Sequence, residues 1–345
     1  MKIKSKLDFL RFSDGIFMKE KFEKRRLGTT KLEATTLGLG TTAIGGLYSA
    51  TSEKSAEQTM ETAWQLGVRF FDSAPQYGNG MAEQRLGAFL KTKSRNDYVL
   101  CTKVGRLLRL PEKPEGEDAY YKGTPPERPV FDFSYDGVMI SIEESLKRLG
   151  ADRIDVLHIH DPDNHYAQAI DGAYKALDRL RSEGTIGAVG AGMNQSEMLA
   201  EFARNGNFDC FLLAGRYTLL EQGALADFLP LCVEKNISVV IGGVYNSGLL
   251  ADPKAGAKFN YQDANQSLID RALRLEAVCL SHGVPLKVAA IQFPLAHPAV
   301  ASILTGARSP TEMEENATHF RQPIPAALWQ DLKAERLIAA EAPTA

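Results

Sequence analysis

Short apolar runs alternate with amphipathic stretches along most of the chain. The runs at 36–39, 69–72, 98–103, 154–160, 186–190, 210–213, 238–241 and 301–304 are too short for helices and carry few charges. They read as strands buried on both faces, the pattern of a parallel sheet. Helical spacing of apolar positions fills the intervals near 53–67, 81–92, 136–149, 166–183, 195–204, 220–235, 265–282 and 286–296, with further helices at 310–317 and 326–339. Eight strand–helix units without a composition break predict an α/β fold, a (β/α)8 TIM barrel. A doubly wound open sheet is the competing arrangement. Residues 27–36 read as an N-terminal β-hairpin with Gly28 in its turn, and the proline-rich stretch 106–133 as a long irregular loop after the third strand. Loops of that length in compact domains serve as lids or binding loops, or are disordered. Tyr120, Tyr121, Phe131 and Phe133 would give a lid aromatic surface, an ordered surface excursion being the other reading.

The 345 residues allow one barrel domain over 27–340, and the net charge of −3 favours neither a nucleic-acid nor an anionic-membrane surface. No uncharged apolar stretch approaches the ~18 residues of a membrane span. Cys101, Cys210, Cys232 and Cys279 are widely spaced without a CxxC pair, which suits a reducing cytoplasm. Residues 1–26 are rich in Lys and Arg, lack an apolar core, and read as a disordered, dispensable extension in which Met18 is an alternative start. A monomer or weak homo-oligomer acting on a small molecule is expected.

Gly38-Leu39-Gly40-Thr41-Thr42-Ala43 fits a dinucleotide fingerprint, GxGxxG/A. That motif works only if a helix begins at once and meets the pyrophosphate. Here the loop-like Ile44–Ser49 follows, and Thr51 or Ser52 is the first credible N-cap, so a Rossmann site is disfavoured.

A barrel would gather its C-terminal strand ends at one mouth. Those ends supply Asp72, Lys103 and His160, with Tyr77 just beyond the second strand in Phe70-Phe71-Asp72-Ser73-Ala74-Pro75-Gln76-Tyr77-Gly78. Alternation puts Lys103 on the face of Cys101 and Val99, and His160 on that of His158 and Val156. A buried lysine needs a counter-charge, and Asp72 is available. A phenol ordinarily titrates near ~10. An ammonium beside Tyr77 is expected to favour the phenolate and make it a general acid–base, with His160 orienting the reacting oxygen. His158 reads as an inward core histidine. The plain reading of Asp72 and Tyr77 is a capping acid and a packing ring.

These residues resemble the catalytic tetrad of the aldo-keto reductase family: Asp72-x4-Tyr77, Lys103 closing the third strand, and Ile154-Asp155-Val156-Leu157-His158-Ile159-His160 stand in the family's order. The resemblance spans about Arg26 to Ile338 and implies a (β/α)8 barrel performing nicotinamide-dependent carbonyl–alcohol redox without metal. It implies cofactor contacts at Gly40, Thr41, Asp72 and Asn194, and in Gly243-Val244-Tyr245-Asn246-Ser247-Gly248-Leu249. It further implies adenosine contacts at Gly306, Arg308, Glu312, Glu315 and Asn316. The chain departs from the family where an aromatic usually stacks on nicotinamide, near Gly242, and where a Gln usually ends the sixth strand, near Ala214.

Glu312 stands where many NADP-using members carry a base, so NAD is the expected cofactor, with NADP possible and Arg308 opposing the inference. His158–Asp163, Tyr245–Gly248 and Val130–Gly137 are similar to aldose 1-dehydrogenases (L-fucose, D-threo-aldose) and pyridoxal 4-dehydrogenases, which oxidise a cyclic hemiacetal to a lactone. The resemblance implies a substrate, aldose or pyridoxal, held among Tyr48, Tyr77, His160, Asp161 and Asp132, although either aspartate could simply cap a turn. A general NADPH-dependent aldehyde reductase, a Schiff-base aldolase using Lys103 and a non-catalytic nucleotide-binding subunit are the competing readings.

Overall fold

The computed structural model describes residues 21–113, 116–260 and 262–344. Eight parallel strands close into a barrel: β1 (Leu37–Gly40), β2 (Phe70–Asp72), β3 (Val99–Val104), β4 (Val156–His160), β5 (Ala188–Met193), β6 (Cys210–Ala214), β7 (Ser238–Gly242) and β8 (Val300–Gly306). β8 pairs with β1 through Ile303 opposite Leu37, which leaves no open edge and rules out the doubly wound sheet.

The strands read as apolar throughout because each buries both faces. Phe70, Val99, Cys101, Val156, Ala188, Cys210, Val240 and Leu304 fill the interior, while Phe71, Leu100, Leu157, Val189, Phe211, Val239 and Ile303 pack under the helices. Glycines on β5 make room in that interior. A Cβ on Gly190 would lie 2.1 Å from His158 Cδ2 and 2.5 Å from the Cys210 carbonyl oxygen, so this neighbour of β4 must lack a side chain.

Helix α1 (Glu53–Gln65) begins behind Ser52, whose hydroxyl accepts from Ser55 N–H, so the turn after β1 is a loop rather than a Rossmann phosphate site. α2 (Met81–Leu90) follows the Tyr77 loop, and α3 (Tyr135–Leu149) is capped by Ser134 and ends at Gly150 in the left-handed region. Fully buried Glu83 of α2 accepts from Thr102 Oγ1 on β3 at 2.6 Å and from Arg148 Nε on α3 at 2.6 Å. This staple fixes the strand that carries Lys103.

Two expectations need correction. The hairpin pairs Lys24–Arg26 with Glu33–Thr35, so its first strand lies inside the segment read as a disordered extension. Phe22 is buried edge-on to Phe320, and Arg25 donates to the Leu295 and Val300 carbonyls, which ties this stretch to the barrel floor. The basic composition hid these anchors; residues 1–20, including Met18, lie outside the described residues.

The stretch 106–133 is likewise not irregular throughout. Arg106–Arg109 pairs antiparallel with Arg128–Phe131, and Pro129 is tolerated because this two-stranded sheet has only edges. Beyond it, Tyr121 bridges to Leu47, and Tyr48 N–H donates to the Tyr120 carbonyl at 2.8 Å. The excursion therefore reaches the turn after β1 across the barrel mouth.

Candidate active site

The C-terminal ends of β2, β3 and β4 bring Asp72, Lys103 and His160 together, and the loop after β2 adds Tyr77. Lys103 Nζ donates to Asp72 Oδ2 at 2.7 Å and to the Ser73 carbonyl at 2.8 Å, and both charged side chains are almost fully buried. The ammonium lies 4.6 Å from the Tyr77 ring centroid, close enough to act on the hydroxyl, and Thr42 borders the same cavity. The His160 ring stands edge-on to Tyr77 with centroids 5.8 Å apart. All but Asp72 border one cavity of about 280 Å³; Gln76, Arg106 and Tyr121 complete its outer wall, and Met193, Leu212 and Ala214 an apolar side.

The electrostatics differ from the sequence-based expectation at Tyr77. Burial pushes the phenol above its ordinary value; Lys103 pulls it down, but the Asp72 carboxylate pushes it up again, and the net direction is upward. Burial is the largest cause, and the carboxylate that anchors Lys103 opposes the ammonium's effect at the hydroxyl. Lys103 itself is held above its usual value: burial opposes the charge, but Asp72 and Tyr77 outweigh it. Burial, then the charges of Arg106 and Lys103, push His160 well down, so it is a neutral hydrogen-bonding imidazole. His158 is pushed down to about 3 by burial and Lys103. It sits beneath the site between two thiols, Cys101 Sγ 3.6 Å from Nδ1 and Cys210 Sγ 3.5 Å from Nε2.

A second cavity of about 410 Å³ is lined by Tyr245, Ser247, Gly248, Gly306, Arg308, Glu312, Glu315 and Asn316, the residues expected at the adenosine end. Leu47 borders both cavities. An elongated ligand can thus run from the tetrad to the helix Pro310–Arg321. Tyr245 Oη donates to Asn316 Oδ1 at 3.3 Å, and the buried Asn246 Oδ1 has no partner among the described residues, leaving an acceptor for a ligand. Glu312 Oε2 accepts from Arg308 N–H at 2.9 Å, and Oε1 lies 3.3 Å from the Arg308 guanidinium. The residues fit an extended dinucleotide.

The other expected contacts are distributed between the cavities and their surroundings. Thr41 is fully buried, its hydroxyl bonded to the Asp72 carbonyl and Ser73 Oγ, and the neighbouring Thr42 faces the cavity instead. Gly40 joins β1 to β8 and β2; in the loop after β7, Gly243 is exposed and Leu249 fully buried. Tyr48 borders the adenosine-end cavity beside Ser247 rather than the substrate cavity. Asp132 accepts from Ser134 N–H and Oγ at the start of α3, the turn-capping role. Asn194 borders the substrate cavity and donates to the Ala214 carbonyl at 2.9 Å. Asp161 lines the same cavity.

Arg106 and Gln76 escaped the reading of the sequence. Arg106 Nη2 donates to Asp161 Oδ2 at 2.7 Å, its Nη1 bonds Gln76 Oε1, and the guanidinium stacks 4.8 Å from the Phe131 ring centroid. The available signal was the placement of Arg106 three residues past Lys103, at the same mouth.

Residues 36–335 match the model of the Aldo/keto reductase family. The chain is 43% identical over 337 residues to the pyridoxal 4-dehydrogenase of Microbacterium luteolum, covering 92% of this chain and 98% of that protein. It is also 43% identical over 309 residues to a D-threo-aldose 1-dehydrogenase from a Pseudomonas species, covering 88% and 94%. Among solved structures, an aldo-keto reductase from Bacillus halodurans in its holo form superposes with a TM-score of 0.72 at 26% identity, covering 93% of this chain and 98% of that one.

Proposed function

Because the chain belongs to the aldo/keto reductase family and is an NAD(P)-dependent oxidoreductase, we propose that it oxidises the cyclic hemiacetal of an aldose to a lactone, with NAD as acceptor. The observation that carries this reading is a polar cavity in which Tyr77 and His160 face Asp161 and Arg106. Such a wall suits a substrate bearing several hydroxyls.

Tyr77 and His160 together hold the C1 oxygen. Neutral His160 donates a hydrogen bond to that oxygen, and Tyr77 takes the hydroxyl proton in its phenolate form, the minor form in the cofactor-free protein. When bound, nicotinamide supplies the hydride acceptor for the same carbon. Lys103 favours the ionised phenol, Asp72 holds Lys103, and Asn194 offers its carbonyl oxygen to the carboxamide. The loop 243–249 holds the pyrophosphate, and Glu315 and Asn316 the adenine. NAD is preferred because both Glu312 carboxylate oxygens face Arg308, so a 2′-phosphate would have to displace them, whereas a 2′-hydroxyl could donate to them.

Pyridoxal is the second reading, favoured by Tyr121, which lines the cavity 6.5 Å from the Tyr77 ring and could cover a flat pyridine. The enzyme works in the cytoplasm as a monomer or weak homo-oligomer, its single barrel domain reaching from the Phe22–Arg26 anchors to about residue 340. Its four cysteines are free and buried, and among the described residues no single helix is long and apolar enough to cross a membrane.

The test is turnover of L-fucose, D-arabinose and pyridoxal with NAD and with NADP. Aldose oxidation with kcat/KM higher for NAD is expected, and Tyr77→Phe should lower kcat by about 10²–10⁴-fold while cofactor still binds. Activity confined to NADPH reduction of simple aldehydes would overturn the reading.

A further inference from the structure

Besides Tyr77 and His160, the substrate cavity meets two cations, and each is held by its own carboxylate: Lys103 by Asp72 and Arg106 by Asp161. With His160 neutral, each cation of the wall is matched by an anion and the wall carries no net charge. The Arg106–Asp161 pair stands on the substrate side of His160, Asp161 Oδ2 being 3.5 Å from His160 Nε2. It is a built feature. Arg106 is 8% exposed, is held by Gln76 and Phe131 as well as Asp161, and its Nε is buried with no partner among the described residues. Asp161 adopts φ +43°, a left-handed conformation that a non-glycine residue takes only when its surroundings hold it there.

We propose that the Arg106–Asp161 pair is the specificity element of the site: it grips neighbouring hydroxyls of a neutral sugar and keeps anionic substrates out. The proposal rests on the aldose reading. A guanidinium N–H and a carboxylate oxygen side by side offer a donor and an acceptor, which match two vicinal hydroxyls, each donor and acceptor at once. A uronate or sugar phosphate would set its charge against Asp161 and would have to break the pair to reach the buried Arg106, whose partner carboxylate is only partly exposed. Removing the aspartate should therefore impair neutral sugars and admit anionic ones.

Asp161→Asn preserves volume and tolerates the left-handed backbone; Arg106→Met removes the cation. Kinetics use L-fucose and D-arabinose as neutral substrates, with D-galacturonate and D-glucuronate as competitive inhibitors. For Asp161→Asn, KM for the aldoses should rise about 10- to 100-fold, the ratio that losing a charged hydrogen bond gives. The uronate Ki should fall by about 10-fold. For Arg106→Met, the aldose KM should rise without any gain for uronates. Generalised damage would weaken both ligand classes together, so unimproved uronate inhibition in Asp161→Asn overturns the proposal, as does an aldose KM within twofold of wild type in both variants. If the wild-type protein oxidises no aldose, the proposed function fails. The uronate arm still stands then, read as inhibition of pyridoxal oxidation.

Discussion

The Lys103–Asp72 pair makes a quantitative demand on stability. The two groups meet at 2.7 Å with side-chain exposures of 1% and 3%, and the Ser73 carbonyl also accepts from the ammonium at 2.8 Å. Asp72→Asn leaves the ammonium buried without a counter-charge, and Lys103→Met leaves the carboxylate so. Breaking a buried pair from one side costs about 3–5 kcal/mol, because the surviving charge has lost its solvent and gained no partner. Asp72→Asn/Lys103→Met strands neither charge and should cost less than either single change, giving a coupling energy above about 3 kcal/mol between these contacting residues. Chemical denaturation of the four proteins at pH 7 reads this cycle directly. A double variant that loses the sum of the two single losses, or single losses below about 1 kcal/mol, would refute the picture of a dry, mutually dependent pair.

Two titrations follow from the same site. His158, pushed down to about 3 when folded against 6.5 for a free histidine, binds its proton in the unfolded chain first, so stability is lost as pH falls from 6.5 towards 3. The slope from this one group approaches about 1.4 kcal/mol per pH unit inside the window, and His158→Leu should flatten the denaturation-versus-pH curve by that share; parallel curves for the two proteins would count against it. Tyr77 is held above the usual phenol value in the cofactor-free protein, so tyrosinate absorbance of wild type and Tyr77→Phe should coincide from pH 7 to about 10. A phenolate signal specific to the wild type near pH 8 would contradict that direction.

What could be read from the chain, and what could not, divides along physical lines. Strand positions were legible because burial on both faces leaves uninterrupted apolar runs, and β6 and β7 fall within a residue of 210–213 and 238–241. The tetrad was legible because each member ends a strand or follows one closely. The hairpin holding Arg106 was not, since its four-residue strands show no alternation of apolar and polar positions and the second carries a proline. Phe22 and Arg25 were lost in basic surroundings, because their partners, Phe320 and the Leu295 and Val300 carbonyls, are about 300 residues away in sequence. Asp132 and Asp161 looked alike as polar residues beside a strand or helix end. Only three-dimensional placement separated the turn cap from the cavity wall.

The tyrosine shows why residue identity alone underdetermines chemistry. A lysine beside a phenol suggests a lowered proton affinity, but a buried lysine survives only with a counter-charge, and the counter-charge reaches the same phenol. Stability of the ammonium and activation of the tyrosine therefore pull against each other. With Asp72 in place, Tyr77 rests as an acid, ready to give a proton to a carbonyl oxygen, and its use as a base requires further positive charge near the hydroxyl. Neither Arg106 nor His160 supplies it: the first is neutralised by Asp161, and the second is kept uncharged by burial and by that same arginine. Further positive charge at the hydroxyl would therefore have to come with a ligand that reaches it past Leu47, where the two cavities meet.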